Sequence, residues 1–375
     1  MPLLPRHRVE AEAFRDARRR RVSVHELQIA DVTPLTADAV AITFDVPEEL
    51  REAYRFRAGQ HVVLLHEHEG AEIRRSYSIC SPATTGELRV AVKRVPGGIF
   101  SDFAVSRLGA GQTLRVMTPT GRFSPVFEPA NCKHYGAVAA GSGITPILSI
   151  VSTGLALEEK SSVTLFYANR TRASTMFAAE LEELLARYSP RFELHHIRSR
   201  EQHGNGAPAG RLDRARLCGL LAPVSGHRGV DDWFVCAPSE MTTEVVSVLT
   251  ARGVGQERIH RELFAADPSD ELSAATAADR PAITSRVTVK ADGRRTEFDL
   301  SSTGEPILLA ALAARPELPY ACQDGICATC RAKTVEGSVV MDRCSALDRR
   351  ELEQGYVLAC QAHPATERVV LDFDV

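Results

Sequence analysis

Cys322-Gln323-Asp324-Gly325-Ile326-Cys327-Ala328-Thr329-Cys330, followed after 29 intervening residues by Cys360, is the most informative stretch of this sequence. Three thiolates from one tight loop and a fourth from a distant strand match the plant-type spacing for a [2Fe–2S] cluster, in which each iron takes two cysteine sulfurs. Gly325 permits a backbone path that a side chain would block. Loop N–H groups can then point at the sulfurs and stabilise the reduced cluster. A zinc knuckle is the competing reading, but zinc sites usually pair C-x2-C elements, and only one such element is present. The expected metal ligands are therefore Cys322, Cys327, Cys330 and Cys360. Cys344 falls outside the pattern, as an ordinary buried thiol or a redox-sensitive one.

Working outward, residues 284–375 open on a hairpin pattern that turns at Asp292-Gly293 and close on a strand pattern over 367–375. Residues 266–283 are polar, Ala- and Pro-containing and aperiodic, which predicts a linker. At the other end, residues 1–22 carry Arg18-Arg19-Arg20-Arg21 with little apolar patterning. This is a basic arm, either solvated or docking to an acidic partner.

The chain has 375 residues, too many for one ordinary core, and two to four domains are expected. Its 44% apolar and 25% charged composition is that of a soluble globular protein, and a net charge of −3 gives no bias toward nucleic acid or membranes. No apolar run reaches the roughly 18 residues a spanning helix needs, and no secretory leader is evident. Five of the nine cysteines crowd residues 322–360, whereas Cys80, Cys132, Cys218 and Cys236 are scattered. That distribution suits a metal centre in a cytoplasmic protein better than a secreted disulfide scaffold.

Residues 129–265 alternate buried apolar runs with helical patterns, as in "HYGAVAAG", "SVTLFYANR", "MFAAELEELLARY" and "DWFVCAPS". Such alternation predicts an α/β domain with a parallel sheet. Its first strand runs into Gly141-Ser142-Gly143 and a helix starting near Thr145-Pro146, where glycines would let a pyrophosphate approach the helix N-terminus. This is not the G-x-G-x-x-G fingerprint of dinucleotide dehydrogenases. Residues 23–128 instead show short strands broken by Gly, Pro or Asp, the pattern of a small antiparallel β-barrel. Within it lies Arg75-Ser76-Tyr77-Ser78. Arg75 and Tyr77 would project to one face of a strand, Arg to neutralise a diphosphate and Tyr to lie against a flat ring, with Ser78 on a ring edge. Gly97-Gly98-Ile99-Phe100-Ser101 opens a helix that can present N–H groups to phosphate, and Lys93 adds a positive charge nearby. By themselves these residues also fit ordinary sheet packing.

Together they resemble the ferredoxin–NADP reductase superfamily. The resemblance implies that Arg75, Tyr77 and Ser78 hold FAD, with Gly97, Gly98 and Ser101 near its pyrophosphate. Gly141, Gly143, Thr145 and Pro146 match that family's nicotinamide-nucleotide turn. Cys236-Ala237-Pro238-Ser239-Glu240-Met241 is similar to the family's Cys-Gly-Pro-x-x-Met, with Ala237 in place of the usual Gly. It implies that Cys236 borders nicotinamide and flavin and that Met241 belongs to the same site. Glu262-Leu263-Phe264 resembles the Glu-x-Phe terminus, which would bring Glu262 and Phe264 toward the flavin, so Cys236, Ser78 and Glu262 are the implied catalytic residues. Arg170 ends one strand, and Ser199-Arg200-Glu201, which ends the next, resembles the 2′-phosphate grip of NADP users; NADPH is expected, with NADH open and the two arginines otherwise solvated loop charges. The C-terminal part is then a β-grasp [2Fe–2S] ferredoxin domain.

A nicotinamide yields two electrons as hydride, a [2Fe–2S] cluster takes one, and a flavin does both, so the implied order is NADPH, FAD, cluster, partner. With its ferredoxin module last, the chain looks most like the reductase components of phenylacetyl-CoA ring-epoxidising complexes, through "RRSYSICSP", "CATCRAK" and "GYVLACQAHP". That likeness implies a multicomponent di-iron oxygenase as the electron acceptor. Ketosteroid 9α-hydroxylase reductases share the domain order and are the alternative. A redox carrier or sensor without turnover is the alternative of another class, and it would lack a flavin or nicotinamide motif.

Overall fold

The computed structural model describes residues 22–201, 210, 214–222, 224, 229–264 and 282–375. Of the expected basic arm (1–22) only residue 22, and of the expected linker (266–283) only residues 282 and 283, fall among these; the rest lie outside the described residues. The chain divides into two compact units, one holding residues 23–262 and the other 263–375.

In the first unit, short strands with one apolar face close on themselves. These are β1 (Val24–Thr36), β2 (Ala39–Asp45), β3 (His61–His68), β4 (Ala71–Ser78), β5 (Leu88–Lys93) and, after helix α1 (Ile99–Arg107), β6 (Thr113–Met117). They pair antiparallel in the order β4-β3-β6-β1-β2-β5, and a bridge between Ile79 and Val90 ties the two ends of that order together. Closure leaves no long unpaired edge. Leu27, Ile42, Leu64 and Val90 fill the interior.

The rhythm then changes as the sequence predicts. Strands β7 (His134–Ala140), β8 (Ser162–Asn169), β9 (Phe192–Arg198), β10 (Asp232–Cys236) and β11 (Ile259–Glu262) alternate with helices α2 (Ile144–Leu157), α3 (Ala178–Tyr188), α4 (Arg214–Leu221) and α5 (Ser239–Ala251). All pair parallel, in the order β11-β10-β7-β8-β9. Helices cover both faces: Ile147 and Leu148 of α2 join one core, while Leu217 of α4 and Val245, Val248 and Leu249 of α5 join the other. The chain steps outward from β7 to β9 and then returns to the far side of β7 as β10. The carboxyl ends of β7 and β10 therefore flank a topological switch point, where open parallel sheets bind ligands.

Barrel and sheet share a core in which Ala39, Cys80 and Phe123 pack with Ile144, Ile147 and Val151. Polar contacts cross the same seam. Arg89 of β5 grips Glu180 of α3 at 2.6 and 3.2 Å. Ser149 Oγ donates to Ser81 O at 2.7 Å, and Ala83 N–H donates to Thr153 Oγ1 at 2.9 Å.

The second unit is the expected β-grasp. Its main sheet comprises β12 (Thr284–Ala291), β13 (Arg294–Ser301), β14 (Arg331–Glu336), β16 (Tyr356–Leu358) and β18 (Arg368–Asp372), ordered β13-β12-β18-β14-β16. A small ladder joins β15 (Val339–Met341) to β17 (Ala362–Pro364), and the helices are α6 (Ile307–Leu312) and α7 (Arg349–Glu353). Ile307, Leu308 and Ala311 of α6 pack on Val287, Val289 and Leu371 of the sheet. The first hairpin turns at Asp292-Gly293, both with φ above zero, as a tight two-residue turn requires. Among the described residues no helix is long and apolar enough to cross a membrane.

One buried group organises the start of the parallel sheet. The Glu158 carboxylate, fully buried, accepts from Glu128 N–H at 2.9 Å, Asn131 Nδ2 at 2.6 Å and Tyr135 Oη at 2.9 Å. Removing the acceptor strands three donors. Glu158→Ala should lower the unfolding free energy by about 2–4 kcal/mol. Denaturant titration of the holoprotein checks this, and an unchanged midpoint would refute it.

Candidate functional site

The switch-point crevice is built from strand ends. Strand β7 passes into one tight turn, Gly141–Gly143, and α2 begins at Ile144, one residue earlier than the sequence suggests. A Cβ placed on Gly143 would lie 2.0 Å from Cys236 O and 3.2 Å from Cys236 Sγ. No other residue fits there, so the turn and the end of β10 lie directly against each other. Cys236 pairs in register with Ala139 on one side and Glu262 on the other. Across the seam, Ser78 Oγ at the end of β4 donates to Glu262 Oε2 at 3.0 Å. Thus Ser78, Glu262, Cys236 and Gly143 form one cluster where barrel meets sheet.

The electrostatics of this cluster are simple. Burial pushes the Cys236 thiol well above its ordinary range, and the negative field of Glu262 adds to the effect. The thiol therefore stays protonated and is no base at neutral pH. Thr145 is buried, with its hydroxyl donating to Ser142 O at 3.0 Å, and Tyr167 Oη donates to Gly141 O at 3.1 Å, so the turn is pinned from both sides. Pro146 is buried in the first turn of α2, where the missing N–H costs nothing.

On the barrel side, Arg75 and Tyr77 lie two apart on β4 and share a face. Arg75 is exposed, and its Nη1 is steadied on Arg74 O at 2.8 Å. The Tyr77 ring is half-buried and tilts against Phe100 of α1 at 5.5 Å. Gly98 caps α1, whose first-turn N–H groups have no partner within the helix. Gly97 and Gly98 form the turn before it. Ser101 uses its hydroxyl locally: Oγ accepts from Val95 N–H at 3.0 Å and donates to Gly98 O at 3.1 Å. Lys93 faces Asp38 at 3.6 Å, which offsets part of its charge. An exposed guanidinium, a flat ring and an open helix N-terminus fit the phosphates and ring of a flavin nucleotide.

The ends of β8 and β9 bring the expected phosphate grip together. Ser199 N–H donates to Asn169 O and Arg200 N–H to Arg170 O, both at 2.9 Å. Arg170 and Arg200 are exposed there. Met241, in contrast, packs beside Val245 and Trp233 in the core under α5, and Phe264 is 46% exposed.

In the second unit the four cluster cysteines converge in pairs, Cys322 facing Cys327 and Cys330 facing Cys360. Among the described residues, no three His, Cys, Asp or Glu side chains converge on one metal-ion position. Two facing pairs fit the four sulfur ligands that two irons would take. Gly325, at φ +76°, sits where a Cβ would press on Gln361 and Arg343. Asp324 N–H donates to Cys322 Sγ at 3.4 Å, the kind of loop contact that stabilises a thiolate. Ser345 Oγ, on the adjoining segment, is buried with no protein hydrogen-bond partner.

Sequence reasoning missed several groups. The Arg89–Glu180 clamp joins residues 91 apart and leaves no local pattern. Gln361 Nε2 reaches back to Gln323 O at 2.6 Å to brace the cluster loop, and only its position beside Cys360 hints at this.

Comparison with known proteins agrees with this geometry. Family profiles match an oxidoreductase FAD-binding domain over residues 26–124, an oxidoreductase NAD-binding domain over 137–247 and a 2Fe-2S iron-sulfur cluster binding domain over 289–365. The chain is 43% identical to a component of the 1,2-phenylacetyl-CoA epoxidase of Escherichia coli K12, over 93% of this chain and 98% of that protein. It is 33% identical to the ferredoxin reductase component of 3-ketosteroid-9-alpha-monooxygenase from Rhodococcus rhodochrous, over 92% and 96% of the two chains. Its fold matches that of phthalate dioxygenase reductase, a modular protein for electron transfer from pyridine nucleotides to [2Fe–2S], with a TM-score of 0.55 at 22% identity, over 94% and 98% of the chains.

The approach of Gly143 to Cys236 leaves no room for a methyl group. Gly143→Ala should slow flavin reduction by the nicotinamide about a hundredfold, since a displacement near 1 Å has that cost. Stopped-flow bleaching of the flavin band measures it, and a rate within twofold of wild type would contradict the assignment.

Proposed function

The chain belongs to the reductase components of oxygenase systems that carry FAD-, NAD- and [2Fe–2S]-binding domains, and from that premise we propose its donor, its acceptor and the residues that serve them. The donor is NADPH. The acceptor is a di-iron oxygenase that epoxidises the ring of phenylacetyl-CoA, as in phenylacetate catabolism. The end-to-end 43% identity with a component of such an epoxidase carries the acceptor assignment. The functional modules are residues 23–128 for FAD, 129–265 for the nicotinamide nucleotide and 284–375 for the cluster, with 266–283 as the linker. Placement in the cytoplasm goes with this reading, since five of the nine cysteines crowd residues 322–360 as in a metal centre rather than a secreted disulfide scaffold.

Bound FAD would supply the exchange between a two-electron hydride donor and one-electron acceptors, and a [2Fe–2S] centre held by Cys322, Cys327, Cys330 and Cys360 would supply a one-electron carrier toward the oxygenase. The protein binds and orients. Arg75 and the N-terminus of α1, with Gly97, Gly98 and Ser101, hold the flavin phosphates, and Lys93 contributes what charge Asp38 leaves it. Tyr77 supports the ring and Ser78 meets its edge, its hydroxyl direction set by Glu262. Gly141, Gly143, Thr145 and Pro146 shape the nucleotide turn. Cys236 forms a neutral wall at the meeting point, which keeps a thiolate charge away from the transferring hydride. Met241, half-buried against the core that holds Trp233 and Val245, acts by supporting the end of β10.

Arg170, Ser199 and Arg200 grip the 2′-phosphate that separates NADPH from NADH. Arg200→Ala should raise KM for NADPH by about tenfold or more, the worth of one charge-assisted hydrogen bond, and leave NADH unchanged. Steady-state reduction of cytochrome c with each nucleotide tests this, and equal losses with both would refute the grip.

The acceptor is tested by reconstitution with purified oxygenases, measuring product formed per NADPH consumed. Coupled epoxidation of phenylacetyl-CoA is expected. Coupling instead to a ketosteroid 9α-hydroxylase would favour the second reading, which rests on the 33% identity to that system's reductase. A protein that reduces neither would be a carrier or sensor.

A further inference from the structure

Beyond the four cysteines, a short segment lies against the cluster loop and is latched by a buried histidine. Chain leaving β15 runs through residues 342–346. Asp342 N–H donates to Gln361 O at 3.0 Å, and Ala346 N–H donates to Gly325 O at 3.1 Å. Between them Arg343 packs on the loop, its Cβ and carbonyl 3.3 and 3.4 Å from where a Cβ on Gly325 would stand. The segment is thus a strap over the loop that carries Cys322, Cys327 and Cys330. Its Ser345 hydroxyl is buried without a protein partner.

To these backbone contacts a side-chain bond beside the β15–β17 ladder is added. His363, 4% exposed and opposite Val340 in that ladder, places Nε2 at 3.0 Å from Asp342 Oδ2. A carboxylate only accepts, so Nε2 carries the hydrogen and the ring is oriented by the contact. The other nitrogen, Nδ1, is buried with no partner. A buried polar atom left unsatisfied costs stability, and a leucine of similar volume would avoid that cost. The imidazole is therefore a poor choice for packing alone and must be useful for its bond to Asp342. Cys360, the fourth ligand, lies three residues before it on the same stretch, so one short segment anchors both ligand and latch.

We propose that His363 is a positioning residue for the [2Fe–2S] centre: its hydrogen bond to Asp342 clamps the 342–346 strap onto the cluster loop and so limits solvent access to the sulfurs. It rests on the reading of residues 284–375 as a cluster domain and assigns no new ligand. Outer groups of this kind set how tightly a metal centre is held and tune its potential.

The test uses the full-length holoprotein. His363→Leu removes the donor at similar volume. Loss of the cluster's visible absorbance in air should become about tenfold faster or more, the usual scale for removing an outer-shell partner of a metal site. The EPR signal of the reduced cluster and its midpoint potential should shift with it. Flavin reduction by NADPH should stay unchanged, which separates failure of the latch from failure of the electron-transfer reading. His363→Gln, whose amide can still donate to Asp342, should restore most of the wild-type behaviour. Bleaching and EPR spectra of His363→Leu equal to wild type would overturn the proposal. So would His363→Gln restoring the unfolding temperature but not the cluster's lifetime, since that is the mark of a purely structural role. Should His363→Leu fail to fold, Asp342→Leu at a half-exposed position decides the matter: faster bleaching supports the latch, and unchanged bleaching rejects it.

Discussion

Hydride transfer requires two flat rings held in close register, and the site proposed for it lies at a seam between two differently built halves. A hydride moves only over short distances, and small misplacements have large effects on rate. The seam is accordingly crossed by short, directional contacts rather than by apolar packing alone. Ser78 reaches Glu262 at 3.0 Å, Ser149 reaches Ser81 at 2.7 Å, and Gly143 has shed its side chain so that the turn can lie on Cys236. The Arg89–Glu180 pair is partly exposed at 19% and 37%, so its worth in stability is modest. Its bidentate geometry fixes orientation, which is what the chemistry requires.

Each half contributes what its architecture allows. The closed barrel presents the end of β4, where alternate side chains share a face, and helix α1, whose N-terminus opens at Gly98. The parallel sheet cannot do the same along its strands, because both faces are buried under helices. It can bind only at strand ends, and the strand order places the ends of β7 and β10 side by side. Cys236 and Gly143 meet there for that reason.

Much of this was legible in the sequence because the signals are local. The hairpin at Asp292-Gly293, the alternation of strand and helix over 129–265 and the cluster loop all depend on residues within a few positions of one another. Arg170 could be joined to Ser199 and Arg200 because successive parallel strands end on the same side. What escaped was pairing at a distance. Nothing around Lys93 announces that Asp38 will face it, and nothing around Asp342 announces His363. Ser101 is a different case: it was expected beside a flavin pyrophosphate, and its hydroxyl also satisfies the turn that precedes its own helix. Short polar side chains near helix starts commonly do so, and local backbone competes with any ligand for the same atom.

The cluster loop shows how spacing becomes coordination. Four thiols could surround one ion or divide between two, and the spacing already favours the second, because only one C-x2-C element is present. Cys322 and Cys327 face each other within the loop, while Cys330 faces Cys360, which comes from a separate stretch of the chain. A single tetrahedral ion would need all four sulfurs about one point, and among the described residues no three donors share one. Gly325 lets the loop turn tightly enough to place the first pair, and Gln361, hydrogen-bonded to both Gln323 O and Cys360 O, ties that loop to the strand that brings the last sulfur.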